Sequence, residues 1–287
     1  MRTRSLTLLL CLLVGSTLVA QEEAAQILAR QKKDAEDAWK AMDLGAPSQL
    51  ETQYLRLVAV PTFAPRLKVM GPLLEKYHEQ ACRALGLAQK EAHPGKITVY
   101  LFDSREQVPT FARRIQKRRP TAGENASFLA SDEQLHVAAA PGTSKTGPTI
   151  EALAGEMVAA LLLQRRAKVS TSLPEWLPHG FGRATSYRVL GATTRWVGEE
   201  RKQARLLVRK CAASDVWDGK VEGEESLLVQ ASLAEFLTYG AGPARLEKFL
   251  AGFIPNENMD SRSVPQALES AGLTEDRVNK TWKAWVK

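Results

Sequence analysis

Read as a pattern of apolar and polar positions, the chain has a short apolar start, a first half of mixed period and a helical second half. Gln21 to Met42 is charged, with a thin stripe at Ile27, Leu28, Ala35, Trp39 and Met42, which predicts a helix lying over the outside of a domain or leading into it. The Gly45-Ala46-Pro47-Ser48 break ends it. Leu50 to Val60 alternates, with Tyr54, Arg56 and Val58 opposite Leu55, Leu57 and Ala59, and reads as one strand stopped by Pro61. Val69, Leu73, Tyr77, Ala81 and Leu85 recur every four residues and predict a helix that Pro72 opens or kinks and Gly86 closes. Ile97 to Phe102 is β-branched and aromatic throughout, as a central strand should be. Ser104 and Gln107 stand at capping-box spacing at the start of the next helix, whose far end carries Arg113, Arg114, Lys117, Arg118 and Arg119, cations that a helix C-terminus favours. Ala126 to Ala130 and Leu135 to Ala140 flank the turn Ser131-Asp132-Glu133-Gln134 and predict a hairpin, with His136 on its second strand as a structural or exposed residue.

From Ile150 the period becomes helical. An apolar helix carries one acid in its middle, Glu156; a polar loop follows, and a second helix opens at Trp176-Leu177-Pro178-His179-Gly180. Beyond Tyr187 the pattern predicts helices only, over Glu199 to Ala213, Glu225 to Tyr239, Pro243 to Ile254, Pro265 to Ala271, and from Thr274 to the end, the last capped by Thr274 and burying Val278, Trp282 and Trp285. Strands with helices first and helices alone afterwards predict an α+β fold: a small N-terminal sheet with helices, a helix pair, then an all-helical C-terminal lobe. The expected divisions are a leader over 1–20, a helical lead-in over 21–49 and one domain over 50–287, with an α+β half to 190 and a helical lobe from 191.

Composition changes this picture at three points. Arg2 and Arg4, an apolar run from Leu6 to Val14 and small residues ending at Ala20 have the plan of a secretory signal peptide cleaved near Ala20, so the chain is expected to be exported, with no membrane span in the mature part. Losing that leader takes two arginines and no acid from a net charge of +7. The remaining positive charge is spread among acids instead of forming a basic tail, which points away from nucleic acid and leaves affinity for an anionic envelope component open. Cys82 and Cys211 remain after processing; export permits a disulfide, yet both lie in predicted helices where a buried thiol is as natural.

Several pieces together resemble one family. Ile97 to Phe102 followed by Asp103-Ser104-Arg105-Glu106, the hairpin over 126–140, Leu173-Pro174-Glu175-Trp176-Leu177-Pro178-His179-Gly180-Phe181, and the helices over 225–250 and 267–285 are similar, in order and spacing, to the peptidase-MA-like, gluzincin-type secreted metallopeptidases. In that family the first helix bears H-E-x-x-H: histidines four apart share one helix face and a zinc, and the glutamate between them activates the metal-bound water. A glutamate in the tryptophan segment supplies the third ligand. Carried over, the resemblance places the ligand positions at Gly155, Ala159 and His179 and the general base at Glu156, so the motif reads Gly155-Glu156-Met157-Val158-Ala159. Glycine and alanine donate nothing to a metal and a catalytic zinc takes three protein ligands. The resemblance therefore implies no zinc and no catalytic residues; His179 could bind a metal only with help from His78, His93 or His136, which no spacing brings to it.

Glu156 has two readings, a surviving base or a carboxylate paired inside the fold, for which Arg183 and His179 are partners across the old cleft; the second is expected, because a buried carboxylate is costly unless paired. The expected function is an exported, catalytically inactive metallopeptidase-like protein that binds a peptide or envelope component or serves as a scaffold. Two alternatives stand beside it: a hydrolase rebuilt around Glu156 and His179, and a cationic module for anionic polymers.

Overall fold

Three runs rich in apolar residues form the middle of a five-stranded sheet, where both faces are covered. These are β2 (Leu55–Ala59), β3 (Ile97–Leu101) and β5 (Leu135–Ala139), every residue of which is buried. β1 (Ser48–Glu51) and β4 (Ala126–Ala130) are more exposed and take the two edges, giving the order β1-β2-β3-β5-β4. β2, β3 and β5 run parallel, and each edge strand pairs antiparallel with its neighbour. The central position expected for Ile97 to Phe102 and the hairpin expected before Ala140 are both present.

In this computed structural model the described residues are 4–132, 134–144, 146–168, 170–240, 243–255 and 262–286, with the side chains of 4–21, 224 and 243 also outside the description. Of the leader expected over residues 1–20, residues 1–3 and the side chains of 4–20 therefore lie outside it, while the backbone of 4–20 is helical. α1 (Arg4–Met42) is one helix. Among the described residues no helix is long and apolar enough to cross a membrane.

α1 is less peripheral than its thin stripe suggests. Ala35, Ala38, Trp39 and Met42 are buried, and the Trp39 ring stacks on Phe102 at 5.9 Å. Further up, Gln31 donates to the Pro94 carbonyl and accepts from the Lys96 backbone N–H, tying the helix to the chain entering β3. Tyr100 and Phe102 face α3 (Gln107–Arg114) and α1 on this side of the sheet, with Phe111 against both rings. Alternation turns Val99 and Leu101 to the other side. There α2 (Ala64–Leu85) and α4 (Ile150–Arg166) pack on the strands, and α5 (Trp176–Leu190) packs on both helices. The helical lobe follows as α6 (Arg195–Val208), α7 (Ala213–Trp217), α8 (Glu224–Glu235), α9 (Pro243–Ala251), α10 (Val264–Ser270) and α11 (Glu275–Trp285). One apolar cluster runs from Leu57 and Val99 in the sheet to Phe249 and Trp282 in the lobe, so the two halves share a core. The fold is α+β.

Four local expectations need correction. Leu50 to Val60 is two antiparallel strands, not one: Thr52 Oγ1 donates to Glu75, which also accepts from the Tyr54 backbone N–H, and this holds the turn at 52–54 that folds β1 back on β2. In α2, Pro72 lies inside the helix instead of opening it; Tyr77, Ala81 and Leu85 are buried as expected, but Val69 is 74% exposed and Leu73 half-buried, and Leu67, Met70 and Leu74 take the buried side of that half of the helix. α3 ends at Arg114, so the helix dipole accounts for Arg113 and Arg114 only; Arg118 lies beyond the helix and pairs with Glu124. Trp285 is 39% exposed, leaving Val278 and Trp282 as the buried residues of α11. Thr274 caps that helix as expected, accepting from the Arg277 backbone N–H at 3.3 Å.

The helices around α5 approach so closely that small residues are obligatory. A Cβ at Gly182 would lie 2.5 Å from the Glu156 backbone oxygen, and one at Gly180 would lie 2.6 Å from the Gln230 backbone oxygen, fixing α5 against α4 and α8. Neither neighbour is a flexible side chain end. Gly182→Ala should therefore destabilise the protein by about 2 kcal/mol or more, the scale of overpacking in a rigid core, read as a fall in the urea midpoint at unchanged slope.

Candidate functional site

The crossing of α4 and α5 buries a polar network inside apolar helices. Glu156, 3% exposed, accepts a hydrogen bond from Ser186 Oγ at 2.9 Å, and its Oε1 lies 3.2 Å from Arg183 Nε. Ser186 Oγ is also 3.0 Å from Tyr77 Oη on α2. Arg183 reaches Glu200 on α6 through Nη1 at 3.3 Å, and the Tyr187 hydroxyl donates to the same carboxylate at 2.9 Å. The guanidinium lies over the Trp196 ring at 5.3 Å. Two carboxylates thus share one buried arginine, with hydroxyls filling part of the remaining bonding capacity.

Burial dominates the protonation of Glu156. It pushes the carboxyl up to about 7, against the opposing pull of Arg183 and the Ser186 hydroxyl. Burial lowers Arg183 as well, but Glu156 and Glu200 outweigh it and hold the guanidinium above its ordinary value. Burial also raises Tyr77 and Tyr187, which stay neutral donors.

Beside this network a cleft of about 370 Å³ opens between β4 and the α4–α5 pair. Ser127 and Phe128 of β4 form one wall, Leu153, Glu156 and Met157 of α4 the floor, and His179 and Arg183 of α5 the other wall. Glu124, paired with Arg118, and Glu175 stand at its mouth. The His179 ring meets solvent while the cleft surrounds it, with Phe128 edge-on at 6.2 Å. Desolvation holds its imidazole below the ordinary histidine value, against the pull of Glu175 and Glu124.

Of the positions carried over from the metallopeptidase motif, Glu156 and His179 line this cleft, together with the expected partner Arg183, and Gly155 and Ala159 do not. A Cβ at Gly155 would meet the Tyr77 ring at 2.5 Å, so that position faces α2, and Ala159, one helical turn on, is fully buried. The cleft floor is instead the 153/156/157 face of α4. A zinc ion does not fit these residues: two of the three positions have no donor atom and face away, and the Glu156 carboxylate is committed to Arg183 and Ser186. Among the described residues no group of three or more His, Cys, Asp or Glu is placed to hold a metal ion.

The other histidines stay away from His179. His78 and His93 pair with each other, Nε2 to Nε2 at 3.0 Å, with Tyr54 stacked on His78 at 4.5 Å. His136 on β5 is buried edge-on to Tyr100 at 5.5 Å. Burial pushes His78 down to about 4, His93 to about 3 and His136 to about 4. Cys82 and Cys211 are free thiols, Cys82 fully buried and pushed up to about 12. Arg183 was legible as a partner of Glu156 because residues 179 and 183 share a helix face. Ser186, one further turn along, carried the same signal; Tyr77 and Glu200 come from other helices and carried none.

Two pH effects of opposite sign follow. The Glu156 carboxyl titrates near 4.5 unfolded and about 7 folded, so its contribution is full below pH 4.5 and lost as pH rises through 7. Across that window the wild type should lose about 3 kcal/mol relative to Glu156→Gln, which cannot titrate. Glu156→Ala should cost about 3 kcal/mol at neutral pH by leaving Arg183 with Glu200 alone, whereas Glu156→Gln, which keeps an acceptor for Ser186, should cost less. The buried histidines act the other way: the unfolded chain takes up protons first as pH falls below 6.5. His136→Phe should therefore remove about 3 kcal/mol of acid destabilisation between pH 6.5 and about 4, read from urea titrations across that range. Comparison with protein-family models and with curated proteins finds no match to this chain.

Proposed function

We propose that this is an exported binding protein of metallopeptidase-like build, whose cleft holds an extended peptide without cleaving it. The observation that carries the reading is the state of Glu156: the one acid on the cleft floor is engaged by Arg183 and Ser186, and neither neighbouring ligand position has a donor. A carboxylate fixed in a structural ion pair is poorly placed to take a proton from water.

What favours a peptide is the wall opposite. β4 is an edge strand, paired with β5 on one side only, and an open edge accepts an added strand through backbone hydrogen bonds. Ser127 on that strand is 2% exposed, lines the cleft, and its Oγ has no hydrogen-bond partner. A buried hydroxyl left unpaired is costly, and a ligand group in the cleft would satisfy it. Phe128, Leu153, Met157 and Leu227 add apolar surface for alternate side chains of a bound strand.

The test is binding and cleavage of a degenerate peptide library by the purified protein. Peptides should be retained intact, with and without chelator. Leu227→Trp, which fills the half-buried rim of the cleft, should weaken retention at least about tenfold, the scale of losing one well-packed contact. Chelator-sensitive cleavage abolished by Glu156→Gln would overturn the reading in favour of a hydrolase, and retention unaffected by Leu227→Trp would move binding away from the cleft.

A further inference from the structure

On the far side of the α5 helix from the cleft, the lobe carries a second cavity that the network around Glu156 does not explain. It encloses about 160 Å³ between α5, α6, α8 and α11. Its charged lining is Arg188, Arg201, Arg205 and Glu235, with Trp285 and Val286 as an apolar lip. Glu235 is 5% exposed and takes both Arg188 Nε at 2.8 Å and Arg201 Nη2 at 2.5 Å. Each of these arginines is also braced by a ring: Arg188 lies over Tyr239 at 4.3 Å and Arg201 over Tyr187 at 5.3 Å. The two forks are therefore held in place with no ligand present.

Charge does not close within this cavity. Among the described residues one carboxylate faces three guanidiniums, an excess of two positive charges in a half-enclosed space. Arg201 Nε is buried and has no hydrogen-bond partner among the described residues. Like charges this close repel, and a desolvated guanidinium N–H without an acceptor is costly. An anion relieves both. The same lining continues outward: a second hollow of about 290 Å³ shares Arg205 and Val286 and adds Arg209 and Lys283. Arg201 and Arg205 stand four residues apart on α6, and Arg209, the residue that caps its C-terminus, continues the same spacing.

We propose that this cavity is a binding site for the phosphate group of a phosphorylated ligand. The excess of two positive charges matches a phosphate dianion better than a carboxylate, and planar guanidinium forks grip phosphate oxygens in pairs. Glu235 sets the two inner arginines, Arg205 at the rim closes on the anion, and the Trp285 and Val286 lip carries whatever is esterified to it. The site is independent of the cleft between β4 and the α4–α5 pair, so it stands or falls separately from peptide binding.

The experiment is isothermal titration of the full chain with inorganic phosphate, with phenyl phosphate and with acetate, at fixed ionic strength. Saturable one-to-one binding of a phosphate is expected, and none of acetate. Arg205→Ala, an exposed position that leaves the Glu235 pairs intact, should weaken binding about tenfold, the loss of one charge-assisted pair. Arg195→Ala, an exposed arginine on α6 that pairs with Glu199 away from the cavity, should leave it unchanged. Tighter binding of phenyl phosphate than of inorganic phosphate assigns the site to a phosphomonoester, and equal binding assigns it to free phosphate. Absence of saturable binding, or equal loss in the Arg195 and Arg205 variants, overturns the proposal by reducing it to diffuse surface charge.

Discussion

Gly182 lies against the backbone carbonyl of Glu156, and the architecture of the buried site depends on that approach. With no Cβ between them, α4 and α5 come close enough for Arg183 and Ser186, one and four residues on, to reach the Glu156 carboxylate. Gly180 repeats the arrangement on the other side of α5 against α8, and Gly155 admits the Tyr77 ring from α2. Three helix contacts therefore converge on one short segment. An ion pair so deeply desolvated contributes less to net stability than to uniqueness, because any other packing of these helices would strand a charge in apolar surroundings.

The same convergence governs the chemistry the cleft can support. Around Glu156 the neighbouring positions of α4 serve packing: Gly155 receives a ring, and Val158 and Ala159 are fully buried. Glu156 reaches the cleft floor but is engaged from behind. What lines the cleft beside it is a sheet edge with a buried, unsatisfied serine hydroxyl, some apolar surface and the solvent-exposed His179. Those features suit holding a chain better than cutting one. On the lobe side, Glu235 resembles Glu156 in being a buried carboxylate paired with arginine, but there two arginines pair with one acid and open onto a cavity.

Much of the fold could be read along the chain because local pattern and tertiary position agreed. Ile97 to Leu101 is β-branched, aromatic or leucine at every position, which suits a strand covered on both faces, so its place at the centre followed. Thr274 marked the start of the last helix through capping chemistry alone. The failures occurred where a distant group decided. The turn at 52–54 is held by Glu75 from α2, which alternation in Leu50 to Val60 could not reveal. Val69 carries the right spacing for a core face, but the helix rotates to present Met70 and Leu74, since those meet the sheet and α4.

The sequence by itself determined the class of the fold, the lack of a side-chain donor at 155 and 159, and Arg183 as a partner for Glu156. Those are properties of residue type and of spacing along one helix. Tertiary structure alone decided that 155 and 159 face away from the cleft, that Tyr77 and Glu200 complete the buried network, and that arginines from α5 and α6 meet a single glutamate from α8. Rotation of a helix about its axis is set by what packs against it, and a uniformly apolar helix such as Ile150 to Leu163 has no polar face to record that choice.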